Sequence, residues 1–112
     1  MSEAFKPQWF HILLALADRN RHGYAIQRDV LDQTNGEMTL WPAMLYRSLA
    51  ALAKLGFVEP VDQQKGEPAD ERRQDYRITK AGRRRLAHEA DRLAGWLKAA
   101  QERNVFDAVE PQ

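Results

Sequence analysis

The sequence predicts a mostly α-helical fold with a two-stranded β-wing: a winged helix-turn-helix followed by a long C-terminal helix. Three observations predict it. A short helix with both ends marked lies between Trp41 and Gly56. Two strand-like runs, Phe57-Val58-Glu59-Pro60-Val61 and Asp75-Tyr76-Arg77-Ile78-Thr79, follow it and are separated by a charged loop. Beyond them, Leu86, Ala90, Leu93, Leu97 and Ala100 recur at alternating steps of four and three, the signature of a helical seam of about two heptads. Residues 1–79 are expected to form the winged helix-turn-helix and residues 80–112 a dimerisation helix with its tail, together one compact unit.

The chain has 112 residues, which suits one core rather than two domains. It has no cysteine, so disulfides and thiolate metal sites are excluded. The first residues lack a signal peptide's layout, and the longest apolar run, Ile12 to Ala17, is far too short to cross a bilayer. A cytoplasmic protein without membrane contact is expected. Net charge is only +1, but it is unevenly distributed. Arg77 to Arg103 is rich in cations, whereas the loop from Asp62 to Asp75 has an excess of acids. Local basic patches, not the total, govern contact with phosphates.

The first helix should open at Pro7 and run to about Asp18. Trp9, Phe10, Ile12, Leu13, Leu14, Leu16 and Ala17 leave it almost no polar face, so it is buried on more than one side. One of those sides can belong to the same chain or to a second copy. Asp18 to Gly23 is polar and turn-forming. A second helix follows to about Thr34, with Ala25, Ile26, Val30 and Leu31 inward, and Asn35-Gly36 ends it.

The helix from Trp41 to Gly56 takes Pro42 at its first position and Gly56 just past its end, where each suits the backbone. Leu45, Leu49 and Leu52 form its core stripe. The other face presents Arg47, Ala50, Ala51 and Lys54, and the helix contains no acid. A slim cationic helix face fits a major groove, although a solvated amphipathic face has the same pattern. The ribbon that follows favours the groove, because winged folds place this helix there. Ala43, Met44, Arg47 and Lys54 are the expected DNA contacts on it. Tyr46, adjacent to Arg47, must point elsewhere; it should pack partly inward and offer its hydroxyl to phosphate, with pure core packing the alternative. Tyr24, at the start of the second helix, is expected at the DNA backbone. His22 beside it is better suited to stabilising the turn. Arg72 and Arg73, at the return of the wing, are expected at a minor groove or phosphate, or equally in a solvated charged loop whose acids repel DNA, with a poorly ordered wing tip between the strands.

Thr79 is a good N-cap for the last helix. Its seam, Leu86, Ala90, Leu93, Leu97 and Ala100, can pair with a symmetry mate while packing on Trp9 and Leu13 of the first helix, which gives a homodimer. Trp96 beside the seam is the candidate for binding a small aromatic effector, or alternatively a filler of the dimer core. Catalysis has little support. His11, His22 and His88 are scattered, and no phosphate loop or nucleophile motif is present. No metal or cofactor is expected, and His88, Glu89 and Asp91 read as solvated.

The sequence resembles the PadR family of bacterial transcriptional regulators. The resemblance is carried by Ile12-Leu13-Leu14-Ala15-Leu16, His22-Gly23-Tyr24-Ala25-Ile26, Leu45-Tyr46-Arg47-Ser48-Leu49 with Leu52, Gly56-Phe57-Val58, and Tyr76-Arg77-Ile78-Thr79-Lys80-Ala81-Gly82-Arg83-Arg84. It spans about residues 9 to 97, and the short last helix looks like the subfamily with a single C-terminal helix. The resemblance implies a homodimeric repressor that reads double-stranded DNA through the third helix and wing, and that a phenolic or planar aromatic effector releases. The chain departs from the family pattern at Trp41-Pro42-Ala43-Met44, where a hydroxyl residue usually contacts phosphate. That contact, and any relative's operator, is therefore left without a basis here. Two other functions fit the same pattern: a winged-helix module for protein–protein contact without DNA, and a ligand-binding dimer built around Trp96.

Overall fold

The computed structural model describes residues 4–61 and 74–109. In chain order the elements are α1 (Pro7–Ala15), β1 (Arg21–His22), α2 (Gly23–Gln33), α3 (Pro42–Lys54), β2 (Val58–Pro60), β3 (Asp75–Ile78), α4 (Lys80–Glu102) and a single 3-10 turn (Val105–Ala108). The fold class is the winged helix-turn-helix expected from the sequence.

α1 is the central helix and touches α2, α3 and α4. Pro7 opens it, but it ends at Ala15, before the expected Asp18. The Arg21 side chain donates to the Ala15 carbonyl at 2.7 Å and takes an acceptor the helix would otherwise leave open. Most of its apolar surface packs into the protomer's own core, formed with Ile26, Val30, Leu40, Leu45, Leu49, Leu52, Val58, Ile78 and Leu86, while Leu14 stays exposed. Trp9 is only 3% exposed and Leu13 is fully buried. Both side chains are covered within a single protomer, which leaves them little surface for the dimer interface expected of them. Leu86, first in the expected seam, is likewise buried in the protomer core.

α2 and α3 end in the same way. Asn35 (φ 53°) and Gly56 (φ 82°) turn left-handed. Gly36 then donates to Leu31 at 2.8 Å, and Phe57 donates to Leu52 at 2.9 Å, the six-to-one bond that closes such an end. The glycine at 56 therefore meets a real backbone need, and it aims the chain from α3 straight into β2.

The sheet has three strands rather than the expected two, in the order β1-β3-β2 and antiparallel throughout. Arg21 pairs with Tyr76 and His22 with Asp75 on one side of β3; Val58, Glu59 and Pro60 pair with Ile78, Arg77 and Tyr76 on the other. A two-residue polar strand gives no alternation to detect. Pro60, which has no N–H, sits on an edge strand, where that is tolerated.

Thr79 caps α4, its hydroxyl accepting from the Gly82 N–H at 3.0 Å and donating to the Gly56 carbonyl at 2.6 Å. One side chain thus joins the end of α3 to the start of α4. A Cβ at Gly82 would run into the Phe57 carbonyl, so glycine here permits the close approach of α4 to the β2 entry. In α4 the buried residues are Gly82, Leu86 and Glu89; from Ala90 to Lys98 every residue is exposed.

Candidate nucleic-acid interface

α3 is held from below by Leu45, Ser48, Leu49 and Leu52, all buried. Ser48 was not singled out in the sequence; it joins the buried row between the leucines. Between the start of α1 and α3 a hollow of about 100 Å³ is lined by Lys6, Gln8, Trp9, Met44, Arg47, Ser48 and Ala51. With the inner row fixed, Ala43, Met44, Arg47, Ala50 and Lys54 face solvent. Four of these were expected DNA contacts, and they lie along one acid-free helix that ends in Lys54.

Tyr46 leaves this face. A Cβ on Gly23 would lie 2.6 Å from the Tyr46 hydroxyl, so the ring covers the bare backbone at the start of α2. This contact explains why His22-Gly23-Tyr24 and Leu45-Tyr46-Arg47 occur together: glycine in one provides the space that tyrosine in the other fills. Its effect is to fix the separation of α2 and α3.

At the head of α2, His22 Nδ1 accepts from the Ala25 N–H at 3.2 Å, which makes the histidine the helix cap. Tyr24 is exposed, its ring stacked 6.5 Å from that of His22 and covered on a flank by the Arg28 guanidinium at 5.8 Å. Arg28 was missed as a candidate because it reads as an outward residue of an ordinary amphipathic helix. Together, Tyr24 and Arg28 offer a hydroxyl and a cation where a helix-turn-helix crosses a phosphate backbone. Arg21 is engaged with Ala15, Asp18 and Asp29 instead. On the wing, Arg77 pairs across the strands with Glu59 at 2.8 Å. Arg72, Arg73 and the expected poorly ordered wing tip lie outside the described residues.

The sequence matches the transcriptional regulator PadR-like family over residues 12–88, more than half of the chain. The chain belongs to that family. PadR-like proteins are transcription regulators and not enzymes. No curated relative matches the chain in sequence. Among solved structures, the fold is similar to a transcriptional regulator from Clostridium thermocellum (TM-score 0.69, 20% identity, covering 88% of this chain and 97% of that one). It is also similar to RosR of H. salinarum (TM-score 0.68, 21% identity, 96% of each chain). A third is Bacillus subtilis PadR in complex with operator DNA (TM-score 0.66, 18% identity, covering 79% of this chain and 48% of that one). At these identities the likeness carries the winged-helix fold of this PadR-like chain. Among the described residues no helix is long and apolar enough to cross a membrane, and no cluster of metal-ligating side chains occurs.

A second feature lies between α1 and α4. A cavity of about 220 Å³ opens there, and Phe5, Phe10, His11, Glu89, Arg92, Leu93 and Trp96 are among its lining residues. Trp96 is 61% exposed, with the Arg92 guanidinium 5.4 Å from its ring. Glu89, expected to be solvated, is buried and clamped by Arg85 at 3.1 Å and Arg92 at 2.8 Å. The signal was present in the sequence: Arg85 and Arg92 stand four before and three after Glu89, on the same helix face. Arg85 in turn lies 4.7 Å from the Phe5 ring, which meets Trp9 edge-on at 5.6 Å.

Proposed function

We propose that this PadR-like chain is a cytoplasmic homodimeric repressor that binds double-stranded DNA and is released by a small planar aromatic effector. The observation that carries the DNA reading is the acid-free exposed face of α3, with Arg47 and Lys54 projecting from a helix whose inner row is fully buried. Met44 and Ala43 precede them toward the groove. Tyr24, together with Arg28, holds phosphate beside it, and Arg72 and Arg73 extend the contact through the wing. Tyr46 contributes by setting the α2–α3 spacing.

Dimerisation falls to α4. Ala90, Leu93, Leu97 and Ala100 keep the expected helical seam, and Leu93 and Leu97 remain exposed in a single protomer. Exposed apolar rows of this kind mark interfaces. Residues 1–79 then act as the reading head and 80–112 as the dimerisation helix and tail. Trp96, on the rim of the α1–α4 cavity, supplies an aromatic face for an effector. A chain of contacts runs from it through Arg92, Glu89, Arg85 and Phe5 to Trp9, which lines one hollow together with Met44 and Arg47. An effector that favours one arrangement of this chain favours one placement of α3, and DNA weakens its binding by the same factor.

Unbiased selection of duplexes at physiological salt tests the reading. A recurring sequence whose affinity falls steeply with salt is expected. Absence of any selected duplex would reject it. For the effector, flat aromatic compounds should quench tryptophan emission and release DNA, and Trp96→Ala should abolish both in a folded protein. Quenching and release that persist in that variant would remove the effector from Trp96.

A further inference from the structure

The first turn of α3 has an unusual chemistry for a base-reading element. Trp41, at the N-cap, is 68% exposed, and Met44 is 41% exposed. Pro42 and Ala43 between them are exposed as well. Across these four side chains the only strong hydrogen-bonding group is the indole N–H of Trp41; the first guanidinium is that of Arg47, one turn further on. The outward tip is therefore apolar, and it passes into the acid-free cationic face formed by Arg47 and Lys54.

In a helix-turn-helix the N-terminal residues of the reading helix contact base edges. Hydrogen-bond discrimination needs strong donors and acceptors, and Pro42, Ala43 and Met44 have none in their side chains beyond the weak thioether acceptor of Met44. The major groove offers one apolar marker among the four unmodified bases, the 5-methyl group of thymine. Met44 is suited to it: its thioether is flexible and polarisable and packs against irregular apolar surface. The broad indole of Trp41 can cover a neighbouring methyl and exclude water from it. Arg47 and Lys54 supply the charge that a polyanion requires, so DNA rather than an apolar protein groove is the fitting occupant.

We propose that Trp41 and Met44 are specificity-determining residues that read thymine 5-methyl groups in the major groove. The inference rests on the DNA-binding reading above and names what the start of α3 recognises. It requires at least one thymine within the half-site under the first turn of α3, and a response to removal of a single methyl group.

The experiment uses the full chain and the duplex obtained by selection. Each thymine is replaced in turn by deoxyuridine, which keeps every hydrogen-bonding group and loses only the methyl. At one or two positions per half-site the substitution should weaken binding about fourfold, the equivalent of one buried methyl group. The penalty at those positions should vanish in Met44→Ala or Trp41→Ala, while both variants keep the salt dependence of the unmodified chain. Both side chains are exposed, so neither change disturbs the core. Indifference to uracil at every position, or a selected half-site without thymine, would overturn the proposal and leave DNA binding standing. A uracil penalty that persists at full size in both variants would also overturn it, since the methyl would then be read elsewhere. Failure to bind any duplex would overturn both this and the DNA reading.

Discussion

α3 and α4 are both amphipathic helices with one face open to solvent, but they are supported differently. In α3 the inner row is buried along its length, from Leu45 through Ser48 and Leu49 to Leu52. In α4 burial stops at Glu89, and Leu93, Trp96 and Leu97 emerge from the protomer uncovered. α3 is therefore a finished element whose open face is small and charged, suited to a hydrated polyanion. The far half of α4 leaves an apolar row open, and among the described residues α1 and the 3-10 turn pack against α4. On the proposed reading the two open faces take different partners: DNA for one and a second copy of the chain for the other.

The largest effect expected from this contrast is at Leu93. Leu93→Asp places an uncompensated charge in a paired α4 face, at a cost on the order of 3–5 kcal/mol. Sedimentation should show a folded monomer or an unfolded chain, and an unchanged dimer would break the contrast. Next comes a matched pair. Leu52→Ala removes a fully buried side chain and should lower folding stability by about 2–5 kcal/mol. Leu97→Ala should instead weaken association while leaving the circular dichroism of the protomer intact. Equal loss of folding stability in the two variants would show that α4 is not waiting for a partner.

Arg47→Ala should weaken selected DNA by about 1–3 kcal/mol if the guanidinium reads a base edge. If it contacts phosphate only, affinity should fall evenly across sequences and the salt slope should drop by about one unit. Unchanged binding would detach α3 from the DNA. The smallest effect is expected at Glu89, which joins the two regions through Arg85 and Phe5. Glu89→Gln should cost about 1 kcal/mol or less in stability, because both arginine partners are partly exposed. It should leave aromatic ligands bound but less able to release DNA. Full release in this variant would mean that coupling runs by another route.

Much of the fold could be read from the sequence because local signals and tertiary needs agreed. Pro42, Gly56 and Thr79 each mark a helix boundary by a backbone requirement, and the structure uses all three there. Long-range contacts were the ones that sequence could not show. The all-round apolar α1 implied burial on several sides but not by which chain, and Trp9 and Leu13 proved to be covered from within. Arg21 and His22 looked like a turn because their strand partner, Tyr76 and Asp75, lies more than fifty residues away. The α3 face was legible from the absence of acids. Arg28 beside Tyr24 was not, since an arginine on an outer helix face looks the same whether it is free or stacked; the clamp on Glu89 had a signal in the spacing of Arg85 and Arg92, but that spacing does not tell a buried carboxylate from a solvated one.

The central claim is that α4 brings two reading heads onto one duplex, with their α3 helices about one helical turn of DNA, roughly 34 Å, apart. The most direct test is the mass of the complex between the full chain and one selected duplex at physiological salt, measured by sedimentation. The account predicts two chains per duplex at saturation, with no one-chain complex accumulating along the titration. A stable complex of one chain on one duplex, with α3 still required for binding, would contradict it.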